Sequence, residues 1–217
     1  MIITKEKDKN EVLGYLTGED KIFIFGCGEC ATVCKTGGEK EVARMKKFLE
    51  ANGKTVTGFV IPDAPCIASQ VKMALSKNKE AVEACDAFII MACGLGAQSL
   101  KENLRENKPV HVTNDTLFMG DVDKSGNFLE RCSACGECIL ELTGGFCPVT
   151  RCPKGMMNGP CGGMDKGKCE VDSEMDCVWA LIYKELKARN QLHLLEAYNP
   201  PKDHSKMLKP RVRHLSV

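Results

Sequence analysis

The sequence predicts an α/β domain with an open, mostly parallel sheet, then a small loop-rich cysteine domain that binds metal, then a C-terminal helix. Three observations predict this. Short apolar runs alternate with amphipathic stretches as far as about residue 125. Eight cysteines, many glycines and few large apolar residues fill 132–177. Helical periodicity returns from Val178. Alternating strands and helices imply crossover connections, and crossovers give parallel strands with helices on both faces.

The elements follow in order. A short helix is expected near Glu11–Leu16. Lys-Ile-Phe-Ile-Phe at 21–25 reads as a buried strand entering the tight loop Gly26-Cys27-Gly28. Val42, Met45, Phe48 and Leu49 form the apolar face of a helix over Glu39–Asn52, with Gly53 as its stop. Thr55–Ile61 reads as a second strand and Ser69–Cys85 as one helix. Ala87–Ala92 is a third strand, leading into Cys93-Gly94-Leu95-Gly96 and a helix near Gln98–Leu104. Val110–Thr113 is a fourth strand. The sheet is expected to be flavodoxin-like or a related three-layer fold. From Val178 to Tyr198 the pattern is helical, and the proline-bearing basic stretch beyond Asn199 reads as an extended tail.

The chain has 217 residues, room for one ordinary domain and a smaller one. The divisions expected are 1–125 for the α/β domain, 126–178 for the cysteine-rich domain and 179–217 for the helix and tail. The net charge of +1 gives no reason to expect nucleic acid. The charged start, Met1 to Lys9, is not a signal peptide. The longest apolar runs are strand-sized, too short for a membrane span, so the expected location is cytoplasmic. There are 14 cysteines. A reducing cytosol favours thiols that hold metal over disulfides. None of the four histidines, His111, His193, His204 and His214, lies in a cysteine cluster. The sites are therefore expected to be thiolate sites, of zinc or of iron–sulfur clusters.

Cys132, Cys135 and Cys138 stand two residues apart, so one loop can bring them to a single cluster. Cys147-Pro148, Cys152-Pro153, Cys161, Cys169 and Cys177 follow. Eight thiolates suit two four-iron clusters, and a segment this poor in apolar residues needs metal to fold. Paired Cys-x2-Cys spacing serves zinc equally well. A second set lies in the α/β domain, where Cys27, Cys30 and Cys34 follow the first strand, Cys66 the second and Cys93 the third. Open parallel sheets bind ligands beyond the carboxyl ends of their strands, so three loops would bring these thiols to one edge. Cys27, Cys30, Cys34 and Cys66 make the leading set, with Cys93 as substitute or nearby thiol. The alternative is a group of buried, inert thiols, and Cys85 is placed in that class.

Gly94-Leu95-Gly96 lacks the full dinucleotide fingerprint and reads as a turn. No Ser/His/Asp arrangement, P-loop or paired-carboxylate setting is visible. Trp179 and Tyr183, one helical turn apart, are expected to pack in a core. Arg211 and Arg213 lie in a tail that either wraps onto a partner or is solvated.

The run Gly145-Phe146-Cys147-Pro148-Val149-Thr150-Arg151-Cys152-Pro153-Lys154-Gly155-Met156-Met157-Asn158-Gly159-Pro160-Cys161-Gly162-Gly163 resembles the carboxyl-terminal domain associated with methylenetetrahydrofolate reductase. The segment from Phe25 through Cys27, Cys30 and Cys34 to Glu39 is similar to the amino-terminal half of the same family. From about residue 20 onward the chain resembles the small, MetV-type iron–sulfur subunit of that reductase from anaerobic, acetogenic bacteria. The resemblance implies a cytoplasmic electron-transfer subunit without catalytic residues of its own. It would relay electrons from ferredoxin, or from a further electron-transfer subunit, to the FMN of a catalytic partner in one-carbon metabolism leading to acetyl-CoA. It also implies [4Fe-4S] clusters, two or three, with zinc as a further metal of the family. The eight cysteines from Cys132 to Cys177, and Cys27, Cys30, Cys34, Cys66 and Cys93, carry over as ligands. Two readings compete: a zinc-stabilised adaptor of the same complex, and an α/β domain that binds its own flavin or folate.

Overall fold

The computed structural model describes residues 1–213. The chain divides into two compact units, Met1–Phe118 and the part from Met119 onward. The division falls inside a strand, a few residues before the change of composition near Ser125.

In the first unit the elements run β1 (Ile2–Glu6), α1 (Lys9–Tyr15), β2 (Lys21–Phe25), α2 (Cys30–Val33), α3 (Glu39–Ala51), β3 (Thr55–Val60), α4 (Ala68–Lys77), α5 (Lys79–Ala84), β4 (Ala87–Ile90), α6 (Gly94–Asn103) and β5 (Val110–Val112). The main sheet has the order β3-β2-β4-β5, all parallel. This is the flavodoxin-like order, as expected. Neighbouring residues of β2 face opposite ways. Phe23 and Phe25 pack with Phe88, Ile90, Val71, Ala74 and Leu100 under α4 and α6. Ile22 and Ile24 pack with Ile89, Met91, Val42, Met45 and Leu49 under α3. Burial on both faces is why these strands read as continuous apolar runs.

The expected helix over Ser69–Cys85 is instead two. Asn78, with φ −115° and ψ 26°, interrupts it, and its side-chain amide donates to the Ala74 carbonyl at 2.8 Å. Asparagine competes with the helix for backbone partners in this way. β1 pairs beside β6 (Asn114–Val122), a strand that runs across the unit boundary. Neither was expected.

In the second unit β6 turns back antiparallel into β7 (Phe128–Cys132). The Asp123 carboxylate holds the turn, accepting from the backbone amides of Ser125 at 2.8 Å and Asn127 at 2.9 Å. α7 (Pro148–Arg151) and α8 (Val178–Ala188) follow. Val178, Trp179, Ile182 and Leu186 of α8 form a small core with Phe146, Met156, Leu192 and Leu194. Trp179 packs as expected, and its indole donates to the Met156 carbonyl at 3.0 Å. Tyr183 does not. It is 50% exposed and lies under the Lys187 ammonium, because only one side of α8 meets the rest of the unit. Helix gives way at Arg189 to a short 3-10 turn over Leu192–Leu195. Among the described residues no helix is long and apolar enough to cross a membrane.

Candidate metal centres

The strand order of the first unit determines where its thiols go. Cys27 follows β2, Cys66 follows β3 and Cys93 follows β4, so all three lie at the carboxyl edge of the sheet. β2 and β4 flank the point where the strand order reverses, and such a crevice is where open sheets bind ligands. Backbones come close here. A Cβ at Gly37 would overlap the Met91 carbonyl, so only glycine fits at that position. Cys27, Cys34 and Cys93 are buried, Cys30 is half-buried and Cys66 is exposed.

Burial pushes the Cys27 thiol above its ordinary pKa. The Ala31 and Glu29 amides oppose this, while Cys30 and Cys93 add to it. Burial likewise raises Cys66, and Cys93, Cys30 and Glu29 add to the shift. Cys30 and Cys93 thus both lie near enough to Cys27 and Cys66 to disfavour the ionisation of those two. Cys34 faces β1 and donates to the Ile2 carbonyl at 3.7 Å, while the Ile2 amide donates to the Cys30 sulfur at 3.4 Å. Cys93, read from the sequence as a substitute or nearby thiol, lies near both Cys27 and Cys66. Cys85 lies at the start of β4, the opposite edge of the sheet. It donates to the Val82 carbonyl at 3.1 Å, and burial raises its pKa.

In the second unit Cys152, Cys161, Cys169 and Cys177 line one shallow, solvent-open hollow, together with Arg151, Lys154, Glu170 and Trp179. Backbone bonds draw this wall together. The Cys169 amide donates to the Met175 carbonyl at 2.9 Å and the Cys177 amide to the Gly167 carbonyl at 2.8 Å. Cys152 closes α7 and Cys177 opens α8, so both sit against the small core.

The other four cysteines lie on adjoining pieces of chain. β7 ends at Cys132 and packs against α7, whose first turn begins after Cys147 with Pro148 at N1. Between them runs the Cys132–Cys138 loop, turned by Ala134 at φ 53° and Gly136 at φ 82°. The tail packs onto this loop. Lys202 donates to the Glu137 carbonyl, Lys206 pairs with the Glu137 carboxylate, and Arg211 donates to the Ala134 carbonyl at 3.0 Å. The turned loop points its carbonyls outward, and the basic tail supplies donors for them. Nothing in the sequence placed these two segments together. Residues 214–217, including His214, lie outside the described residues.

The donor sets fit soft-metal chemistry, being thiols without histidine, and the hollow also holds Arg151, Lys154 and Glu170, whose carboxylate accepts from the Cys161 thiol at 3.5 Å. Among the described residues, no three candidate ligands stand at metal-binding distance from a common point. His111 serves elsewhere, with its Nε2 2.8 Å from Glu19 and its ring stacked on Tyr15.

Residues 111–205 match the family model described as "Methylene-tetrahydrofolate reductase C terminal". The matched segment takes in all eight cysteines from Cys132 to Cys177 and ends within the strap over the Cys132–Cys138 loop. No curated protein and no solved structure matches the chain.

Proposed function

We propose that this chain is an electron-transfer subunit of a methylenetetrahydrofolate reductase, with no catalytic residue of its own. It passes electrons from ferredoxin, or from a further electron-transfer subunit, to the FMN of the catalytic partner. The observation that carries the reading is the four-thiol hollow of Cys152, Cys161, Cys169 and Cys177 inside the segment that matches the reductase family.

The eight thiols of the second unit divide into two ligand quartets: Cys132, Cys135, Cys138 and Cys147, and the four around the hollow. A third site in the first unit draws on Cys27, Cys30, Cys66 and Cys93, with Cys34 beside it. A [4Fe-4S] cluster, when bound, supplies one-electron redox chemistry. The chain supplies thiolates, a wall of apolar side chains (Pro153, Met164, Val178, Trp179) with Arg151, Lys154 and Glu170, and a strap over one loop. A relay needs redox centres and little acid–base machinery, which agrees with the residues present.

The test is anaerobic purification with iron, sulfide and zinc counted per chain and the visible spectrum recorded. About eight to twelve irons with matching sulfide, and a brown colour bleached by dithionite, are expected for two or three four-iron clusters. Zinc alone, with no visible absorbance, would make the chain a structural adaptor. Flavin released on denaturing the isolated chain would instead move chemistry into the α/β unit.

A further inference from the structure

Arg151 lies between the two proposed ligand quartets. In sequence it separates Cys147, at the start of α7, from Cys152, at its end. In space it lines the hollow with Cys152, Cys161, Cys169 and Cys177, and its backbone amide donates to the Cys147 carbonyl at 3.0 Å. The guanidinium is half-buried and sits 5.1 Å from the centroid of the Phe146 ring.

The carboxylates around it already have partners. Asp121 accepts from Arg131 at 3.1 Å, Asp176 pairs with Lys168 at 2.8 Å, and Glu170 pairs with Lys154. Among the described residues Arg151 has no ion pair. Burial lowers its pKa and Arg131 adds to that, while Asp121, Asp176 and Cys147 oppose it. Arginine stays charged nonetheless. A partly desolvated cation needs an anion, and the groups left to provide one are the thiols on either side.

We propose that Arg151 is the shared counter-charge of both metal–thiolate centres of this unit and raises the reduction potential of each. The proposal rests on the iron–sulfur reading above. A four-iron cluster with four thiolates is anionic, and reduction by an external one-electron donor adds one negative charge without making or breaking a bond. A nearby cation in a medium less polar than water therefore favours the reduced state. Arg151 is a positioning charge, separate from the ligands.

The experiment is a dithionite titration of the complete chain, followed by electron paramagnetic resonance, with iron and sulfide counted on the same sample. Arg151→Met removes the charge but keeps an apolar stem on Phe146. It should retain the iron and move both midpoints to more negative potential by about 59 mV, a tenfold change in a one-electron equilibrium. Arg151→Lys should restore most of that shift. Retained iron with neither midpoint moved, or only one, overturns the proposal. If Arg151→Met loses its iron, Arg151→Gln is read by the same criterion, because it keeps donors for sulfur without the charge. A native chain that carries no iron defeats the iron–sulfur reading itself, and the proposal with it.

Discussion

The two units are held together by different means. The first buries whole strands, with Phe23, Phe25, Phe88, Ile24, Ile89 and Ile90 each 0% exposed, between layers of helix. Among the described residues of the second, the large buried hydrophobic residues are Val178, Trp179, Ile182 and Leu186, all on one helix, with Pro148 of α7 buried as well. So few residues cannot offset the conformational entropy of a segment of this length. The first unit is therefore built to stand without metal, and its thiols are set on a finished scaffold. In the second, on the proposed iron–sulfur reading, the thiols are part of the scaffold.

Stripping the metal should separate these cases most sharply. With iron removed by a chelator, hydrogen exchange should become fast through α7 and α8 while β2 and β4 stay protected. Equal loss of protection in both units would break the comparison. Next in size are single ligands. Cys147→Ala and Cys161→Ala should each lose about four irons, one cluster's worth, and should remove different paramagnetic signals. Loss of the same signal by both would show that the quartets are drawn wrongly, and unchanged iron would refute the ligand assignments.

A core change should do the opposite. Ile24→Ala should cost the first unit about 2–5 kcal/mol in urea unfolding. The iron count of the chain's second unit should stay as it was, and a drop there would couple what is described here as separate. The smallest effect concerns Cys85. Burial keeps its thiol protonated above the ordinary range, with Lys108 pulling the other way. Its contribution to stability is complete below the unfolded-state pKa of about 8.5 and is lost as pH rises through the raised folded value. The urea midpoint should therefore fall less between pH 8 and pH 10 in Cys85→Ala than in the native chain, all on the ordinary thiol scale. Identical slopes would remove burial as the cause.

The sheet was legible because strands buried on both faces leave uninterrupted apolar runs, as Lys21–Phe25 and Ala87–Ala92 do. β6 and β7 were not, because most of their side chains are exposed or half-exposed and their sequences show no regular alternation of apolar and polar residues. Their turn did leave a signal, Asp-Lys-Ser-Gly-Asn at 123–127, which could have found the hairpin. The convergence of Cys27, Cys66 and Cys93 on one edge followed from topology, and sequence could supply it. The grouping around the hollow could not be read, since Cys169 and Cys177 are held there by backbone bonds to Met175 and Gly167 that no spacing encodes. Arg151 was hidden for a related reason. Its role depends on which neighbouring acids are already paired, a property of the fold.

The strap over the Cys132–Cys138 loop has a consequence for biosynthesis. Lys206, which grips Glu137, is made 69 residues after it. While the ribosome is still adding those residues, the loop with its three cysteines has no clasp. On the proposed iron–sulfur reading, enzymes that deliver iron and sulfur would find the loop open during that interval and partly closed afterwards, so the order of synthesis would give the loop a period of free access before the chain fastens it.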